Sequence, residues 1–255
     1  MTDSRLVQEL ETALDEGEII VHFQPQVDLS TNRTVSVESL CRWLHPDLGL
    51  LLPYAFIPIA EQSGLIARLG DYMIAESIAA ATAWHDAGTS IGIAVNVSPL
   101  QLGLEGFGSE LVAAVAAAHL DPTLVTLEIT DTVPIEDLGG ATSVLAPLRE
   151  AGMVVAIDDY GAGYSSLSRL ADLGAGELKI DRSLLQSDSE LTARHLSDVV
   201  EFAHERSIRV VAEGVERAEH LQLARDLGCD RAQGFLLGRP VSQRDITSRL
   251  ERELV

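Results

Sequence analysis

The feature that most constrains the fold of this chain is a regular alternation of short apolar segments with longer helical ones. Strand-like segments fall at residues 19–29, 34–43, 91–97, 124–130, 153–157, 177–180, 208–212 and 231–235. Helical patterns fall at residues 6–17, 68–87, 108–119, 138–151, 165–173, 191–206 and 218–227, with another after residue 241. Such alternation is typical of parallel βα units, and 255 residues match the length of a (β/α)8 barrel. We therefore predict an α/β fold of the TIM-barrel type.

The first two strands depart from this alternation. Residues 30–33 join them, which is enough for a hairpin turn but too short for a helical crossover. We therefore expect the first strand to run antiparallel to its neighbour. Residues 1–18 carry an amphipathic helical pattern that ends at Gly17, and we expect this helix to pack on a single barrel domain of residues 19–255.

The charge of the chain excludes some partners. Its 39 acidic and 18 basic residues give a net charge of −21, so there is no basic excess to hold a nucleic-acid polymer. A phosphate ligand would have to be held locally, by metal ions or by selected arginines. Cys41 and Cys229 lack disulfide or metal spacing, as expected for free thiols in a reducing cytoplasm. No segment has the pattern of a signal peptide or the length to enter a membrane, so we expect a cytoplasmic protein.

Residues 154–167 read V-V-A-I-D-D-Y-G-A-G-Y-S-S-L and combine an apolar strand with adjacent acids. Asp158 and Asp159 follow the apolar run directly, and an unpaired carboxylate is costly to bury. Gly161 and Gly163 then allow a tight loop. Taken alone, the stretch is better explained by a strand followed by an Asx turn. The case for a metal site comes from the other strands.

Polar residues lie at the ends of those other strands. They are Asn96, Glu128, Lys179, Glu213 and Gln233, while Glu38 lies within the second strand. Each has an ordinary explanation singly, but in a barrel these strand ends converge on the rim where active sites lie. Lys179 is also the single lysine among 18 basic residues. Oxygen ligands without histidine favour hard ions, so the set predicts a pair of Mg²⁺ or Mn²⁺ ions suited to displacement at phosphorus.

Nine segments in chain order resemble the EAL-domain family, which comprises cyclic di-GMP phosphodiesterases and catalytically silent relatives. They read F-Q-P-Q-V-D-L, V-E-S-L-C-R-W-L-H-P, F-I-P-I-A-E-Q-S-G-L-I, V-N-V-S-P-L-Q-L, L-E-I-T-D, I-D-D-Y-G-A-G-Y-S-S-L, L-K-I-D-R-S, V-V-A-E-G-V-E and A-Q-G-F-L-L-G-R-P. The resemblance implies a barrel with an antiparallel first strand, a homodimer and two divalent cations. It also implies hydrolysis of cyclic di-GMP to linear 5'-pGpG, with the two cations activating the attacking water.

The resemblance further implies roles for individual residues. The implied metal ligands are Glu38, Asn96, Glu128 and Asp158 for one cation and Asp158 with Asp159 for the other. Lys179 would hold the attacking water, and Glu213 would act as base or as an outer ligand. The implied substrate contacts are Gln24, Leu40, Arg42 on a phosphate, Asp181, Glu216 and Gln233, the last two also ordering waters. Asp131, Gly161 and Gly163 would position the loop that follows the acidic pair.

Three positions depart from the family pattern. Ser39 stands where the signature has alanine, and it should point away from Glu38 because neighbours on a strand face opposite sides. Asp131 stands where glutamate is usual, and Ala162 where threonine is common. Both residues affect the positioning of the loop that follows the acidic pair, so we predict a working enzyme with a lowered turnover rate. Two alternatives stay open: a silent module that binds cyclic di-GMP or a regulatory protein partner, and a two-metal esterase for another phosphodiester.

Overall fold

The structure is a computed structural model that describes residues 3–130, 138–161, 170, 172–187 and 189–253. Its strands are β1 (Ile19–Asp28), β2 (Thr34–His45), β3 (Gly49–Leu51), β4 (Gly92–Val97), β5 (Val125–Thr130), β6 (Val154–Tyr160), β7 (Glu177–Ile180), β8 (Arg209–Ala212) and β9 (Arg231–Gln233). Eight of them, all except β3, form a closed barrel, because β1 pairs with β2 on one side and with β9 on the other. The predicted α/β barrel is confirmed.

The direction of β1 follows from the short turn after it. β1 runs antiparallel to both β2 and β9, and the pairs from β2–β4 through β8–β9 are parallel. The expected reversal of the first strand is therefore confirmed. β3 adds a short antiparallel partner to the end of β2, outside the ring.

The described helices are α1 (Asp3–Glu16), α2 (Ile57–Ser63), α3 (Ile66–Asp86), α4 (Pro99–Leu102), α5 (Phe107–Ala117), α6 (Leu138–Glu150), α7 (Arg182–Leu185), α8 (Glu190–His204), α9 (Ala218–Asp226) and α10 (Gln243–Glu253). The long helices lie close to their predicted bounds. Most of the helix predicted at residues 165–173 lies outside the described residues. No helix in the described part of the chain combines the length and the apolar character needed to cross a membrane.

Side-chain alternation on the strands separates an apolar core from a polar barrel interior. Leu127 and Ile129 on β5 are buried in the large core cluster together with helix residues such as Leu145 of α6. Glu128 lies between them and therefore points to the opposite side of the sheet, into the barrel. On β5 the alternation thus places one carboxylate inward between two aliphatic residues that face outward.

A second core lies between the outer face of β2 and the first three helices. Leu10 and Ala13 of α1 belong to the same buried cluster as Trp43 of β2 and Phe56. The Trp43 and Phe56 rings meet edge to face with centroids 5.8 Å apart, and the indole nitrogen of Trp43 donates to Oε2 of Glu18 at 2.9 Å. These contacts fix β2 from outside, and β2 carries Glu38 on its inner face.

Candidate active site

The ammonium group of Lys179 lies among four carboxylates inside the barrel. Its Nζ is 2.8 Å from Oε2 of Glu128, 2.8 Å from Oε1 of Glu213, 3.1 Å from Oδ1 of Asp158 and 3.5 Å from Oε2 of Glu38. Lys179 and Glu128 are completely buried, whereas the Glu213 side chain keeps 17% of its surface exposed. Because one ammonium faces four acids, the cluster attracts further positive charge.

Amide side chains on β4 and β9 hold the carboxylate of Glu38. Nδ2 of Asn96 donates to its Oε1 at 2.7 Å, and Nε2 of Gln233 donates to its Oε2. The strand register brings these groups together, since Gln24 of β1 pairs with Glu38. Nε2 of Gln233 also approaches Oε1 of Gln24 at 3.2 Å, and Gln24 donates to the carbonyl of Gly238. Glu38 is thus oriented from both sides.

Asp158 and Asp159 both line the same cleft although they are consecutive on β6. In a regular strand they would face opposite sides. Asp159 instead has φ of 58°, a left-handed conformation, and the β6–β7 register shifts between Ile157 and Tyr160. The backbone nitrogen of Asp159 donates to Oδ1 of Asp158 at 3.0 Å. This irregularity presents two carboxylates to one space.

Burial raises the pKa of several of these acids. Burial raises the pKa of Glu128 well above its usual value, and the charge of Glu38 adds to the shift. The pKa of Glu213 rises in the same way, first through burial and then through the charge of Asp158. Burial together with Asp158 raises the pKa of Asp159 to about 6. These groups carry their negative charge more easily when a cation lies beside them.

Two members of the cluster shift toward their charged forms. Burial alone would lower the pKa of Lys179, but the surrounding carboxylates outweigh it and hold that pKa well above its usual value. Burial opposes the charge of Glu38, yet Lys179 and the donors on Asn96 and Gln233 lower its pKa. Lys179 and Glu38 therefore stay charged at neutral pH.

The donor set fits divalent metal ions. Oxygen atoms of Glu38, Glu128 and Asp158 lie within 4.8 Å of one another, and so do oxygen atoms of Asp158, Asp159 and Glu213. Asp158 belongs to both groups, and Oε1 of Glu128 is buried without a hydrogen-bond donor among the described residues. Carboxylate oxygens without imidazole or thiolate match the preference of hard cations such as Mg²⁺ and Mn²⁺.

A cleft of about 390 Å³ opens over this cluster. Of the predicted substrate contacts, Gln24, Asp181, Glu216 and Gln233 line it. Asp181 also caps α7, since its Oδ1 accepts from the backbone nitrogen of Ser183 at 2.8 Å. The cleft therefore has an acidic centre and a rim that combines amides and carboxylates.

Leu40 and Arg42 are placed differently. Leu40 lines a neighbouring cavity, while Arg42 is buried, is absent from the described lining of the cleft and donates from Nη1 to the carbonyl of Cys41 at 2.7 Å. Ser39 lies on the outer side of β2, where its hydroxyl accepts from Ser77 of α3 at 2.8 Å. The predicted opposite orientation of Ser39 and Glu38 agrees with this contact.

Two glycines of the candidate site stand where a side chain would clash with a neighbour. Gly161 has φ of 103°, and a Cβ there would lie 2.1 Å from Cδ1 of Leu184. Gly234 follows Gln233, and a Cβ there would lie 2.3 Å from the backbone nitrogen of Val215. Residues 131, 162 and 163, which the sequence assigns to loop positioning, lie outside the described residues.

Gly234, Arg182 and Phe235 were not predicted as site residues, although all three line the cleft. The segments A-Q-G-F and L-K-I-D-R contain them next to predicted residues. The signal was therefore adjacency in sequence: each lies one or two positions beyond a residue already placed at the rim.

The family model described as EAL domain matches residues 7–240. The chain belongs to the EAL domain family. Among curated relatives of this EAL domain is the bifunctional diguanylate cyclase/cyclic di-GMP phosphodiesterase MucR of Pseudomonas aeruginosa, 36% identical over 241 residues, which cover 93% of this chain and 35% of MucR. The cyclic di-GMP phosphodiesterase RocR of the same organism is 35% identical over 239 residues, which cover 93% of this chain and 61% of RocR. This EAL domain therefore spans only part of the length of these relatives.

Solved structures of the family share the fold. A structure of the PaMucR phosphodiesterase in complex with c-di-GMP is 35% identical, covers 95% of this chain and 99% of that chain, and has a TM-score of 0.89. The EAL domain of Mycobacterium smegmatis DcpA is 29% identical, covers 92% of this chain and 97% of that chain, and has a TM-score of 0.77. Both agree with the barrel described above.

Proposed function

We propose that this EAL domain hydrolyses one phosphodiester bond of cyclic di-GMP to give linear 5'-pGpG, using two divalent cations. The observation that carries the proposal is the group of four carboxylates around Lys179. Two relatives named as phosphodiesterases of this dinucleotide, MucR and RocR, and the c-di-GMP complex of PaMucR support the choice of substrate. We also propose a homodimer in the cytoplasm, as the family resemblance implies.

Residues of four strands would hold the cations. Glu38, Asn96, Glu128 and Asp158 would bind one, and Asp158 with Asp159 would bind the other. The two groups of oxygen atoms that share Asp158 support this division, although the second also includes Glu213. When bound, such cations supply the positive charge that lowers the pKa of water and offsets the charge of a phosphodiester.

The protein's own groups then orient the water and take its proton. Lys179 would donate a hydrogen bond to the attacking water, and Glu213 would accept the proton. Oε1 of Glu213 lies 2.8 Å from Nζ of Lys179, so one water can reach both groups. The raised pKa of Glu213, which burial causes first, suits a base that works near neutral pH. A new bond would form between the water oxygen and phosphorus, the bond from phosphorus to the 3'-oxygen would break, and the 3'-oxygen would take up a proton from solvent to leave as the 3'-hydroxyl of pGpG.

The remaining predicted residues would hold the dinucleotide. Gln233 donates to Glu38 and to Oε1 of Gln24, while Asp181 and Glu216 line the same cleft. Arg42 would reach a phosphate by exchanging the carbonyl of Cys41 for the phosphate oxygen.

Chromatography of the reaction mixture tests this proposal. Purified protein is incubated with cyclic di-GMP and Mg²⁺ or Mn²⁺, with Glu38→Gln as the matched control because it keeps the size of the side chain and removes its charge. We expect pGpG that requires both the cation and Glu38. Saturable binding of the dinucleotide without pGpG would contradict the proposal and favour a receptor, and absence of both would favour a protein partner.

A further inference from the structure

The segment that carries the candidate base Glu213 crosses the rim of the barrel between β8 and α9. Gly214 follows Glu213 with φ of 62°, a left-handed conformation that glycine adopts without strain. A Cβ at Gly214 would lie 2.2 Å from Cβ of Arg182, so the segment packs closely against α7. Because glycine tolerates many backbone conformations, the peptide that follows it keeps one orientation only where hydrogen bonds hold it.

Hydrogen bonds hold the peptide between Gly214 and Val215 at both of its ends. The backbone nitrogen of Val215 donates to the carbonyl of Gln233 at 3.0 Å. The carbonyl of Gly214 accepts from Nε2 of Gln186 at 2.9 Å. The first bond joins the peptide to the backbone of β9, whereas the second comes from a side chain, so one substitution can remove it.

This peptide lies between two groups of the candidate site. On its N-terminal side, the backbone nitrogen of Glu213 donates to the carbonyl of Ile180 at 3.0 Å, and Oε1 of Glu213 lies 2.8 Å from Nζ of Lys179. On its other side, the side chain of Gln233 donates to Oε2 of Glu38. A rotation of the peptide would change the backbone next to Glu213, and small displacements of a catalytic group are costly.

We propose that Gln186 is a positioning residue of the active site, whose amide fixes the peptide after Gly214 and thereby holds Glu213 beside Lys179. This inference rests on the proposed function. Gln186 directly follows α7, and its own backbone nitrogen donates to the carbonyl of Arg182 at 2.8 Å, so the end of α7 supports the amide. The described lining of the cleft does not include Gln186, so it acts on the reaction through this contact.

Steady-state kinetics with cyclic di-GMP at saturating Mn²⁺ test this role. Gln186→Met and Gln186→Glu keep the length of the side chain and remove the donor, and a carboxylate also repels the Gly214 carbonyl. Gln222→Met is the matched control, because Gln222 is an exposed glutamine of α9 whose amide donates to Oδ1 of Asp226 at 2.8 Å. Thermal melts establish that the variants fold, and hydrogen exchange of the Val215 amide is measured on the same proteins.

We expect both Gln186 variants to lower kcat by roughly tenfold with KM for cyclic di-GMP close to wild type, because the position of Glu213 matters in the reaction step. Gln222→Met should keep both values. A role in packing alone predicts a wild-type kcat in Gln186→Met, since methionine fills a similar volume. A wild-type kcat in both Gln186 variants, or a raised KM with unchanged kcat, would overturn the inference.

Failure of the proposed function gives a different result. If the wild-type protein holds the cation but makes no pGpG, the proposed hydrolysis is wrong, and hydrogen exchange then tests the Gln186 contact by itself. Loss of the amide should speed exchange at Val215 in both Gln186 variants and not in Gln222→Met, since a peptide held at one end opens more often. Equal exchange in all of these proteins overturns the inference in that case.

Discussion

Nζ of Lys179 lies 2.8 Å from Oε2 of Glu128, and both side chains are completely buried. A buried ion pair is stable only when its surroundings satisfy both charges, and here further acids surround the lysine. Among the described residues, Lys179 is thus the one basic side chain within a cluster of carboxylates that repel one another. The stability of the cluster therefore depends on the balance between this ammonium and added cations.

Replacement of Lys179 by methionine should destabilise the metal-free protein. Removal of one partner from a buried ion pair costs about 3–5 kcal/mol, and a domain of this size loses roughly 2–4 °C of Tm per kcal/mol. We expect Lys179→Met to melt at least about 6 °C below wild type in EDTA at pH 8, and to regain part of this with Mn²⁺. Calorimetry checks both values. If Lys179→Met melted at the wild-type temperature in EDTA, the ammonium would not be needed to hold the acids together.

Stabilisation by divalent cations should increase with pH. The raised pKa values of Glu128 and Glu213, caused first by burial, mean that between pH 5 and 8 the folded protein binds more protons than the unfolded chain. Asp159, with a pKa of about 6, acts in the same direction. Their contribution to the free energy of unfolding therefore falls as pH rises in EDTA. The shifts of Glu38 and Lys179 act below and above this window.

Cations bind the deprotonated acids, so at higher pH they should offset more of the fall in the free energy of unfolding. We expect the Mg²⁺- or Mn²⁺-induced rise in Tm to be larger at pH 8.0 than at pH 5.5, in melts with matched ionic strength. A rise that stays constant or shrinks over this range would argue against cation binding by these carboxylates.

Loss of the Asn96 amide should lower activity more than stability. Nδ2 of Asn96 donates to Oε1 of Glu38 at 2.7 Å, and Asn96 itself is the exposed residue of β4. Mutation of a side chain that orients a metal ligand lowers metal affinity or activity by roughly 10–100-fold. We expect Asn96→Ala to lower kcat/KM for cyclic di-GMP in that range at limiting Mn²⁺, with Tm nearly unchanged. Asn32→Gly, at the one other asparagine of the chain, is the control, and equal activities of the two variants would refute the assignment.

Substitution of Asp131 by glutamate should raise turnover. The family resemblance places a longer acid at this position, and small displacements of catalytic groups are costly. We expect a higher kcat for Asp131→Glu with little change in KM, measured with saturating cation. Unchanged turnover would show that this position does not limit the rate.

The alternation of apolar and helical segments was sufficient to predict the barrel, because the apolar segments are separate, rich in β-branched residues and bounded by turn residues. The four-residue link between β1 and β2 was sufficient to predict the reversed strand. Shorter elements were not predicted, among them β3 and α7, because three or four residues are too few to show a period. α4 does have a signal in the sequence, since Ser98 and Gln101 form a capping box around Pro99.

The residues of the candidate site could be predicted from the sequence, but their spatial arrangement could not. Strand ends converge in any such barrel, so the residues could be gathered from sequence alone. The burial of Lys179 could not be predicted, because its neighbours come from strands as distant in sequence as β2 and β6. The bend at Asp159 was equally hidden: the strand was expected to stop at residue 157, whereas β6 continues through both acids to Tyr160. The pairing of Arg42 with a backbone carbonyl also depends on tertiary packing.

Hydrolysis in water enriched in ¹⁸O tests the central proposal most directly. The protein, Mn²⁺ and cyclic di-GMP are incubated in this water, and the product is analysed by mass spectrometry with fragmentation. Attack of water on phosphorus predicts one ¹⁸O atom in the 5'-phosphate of pGpG and none in the ribose. Label in the 3'-hydroxyl, or no pGpG under conditions where the protein is folded and holds the cation, would contradict the proposed reaction.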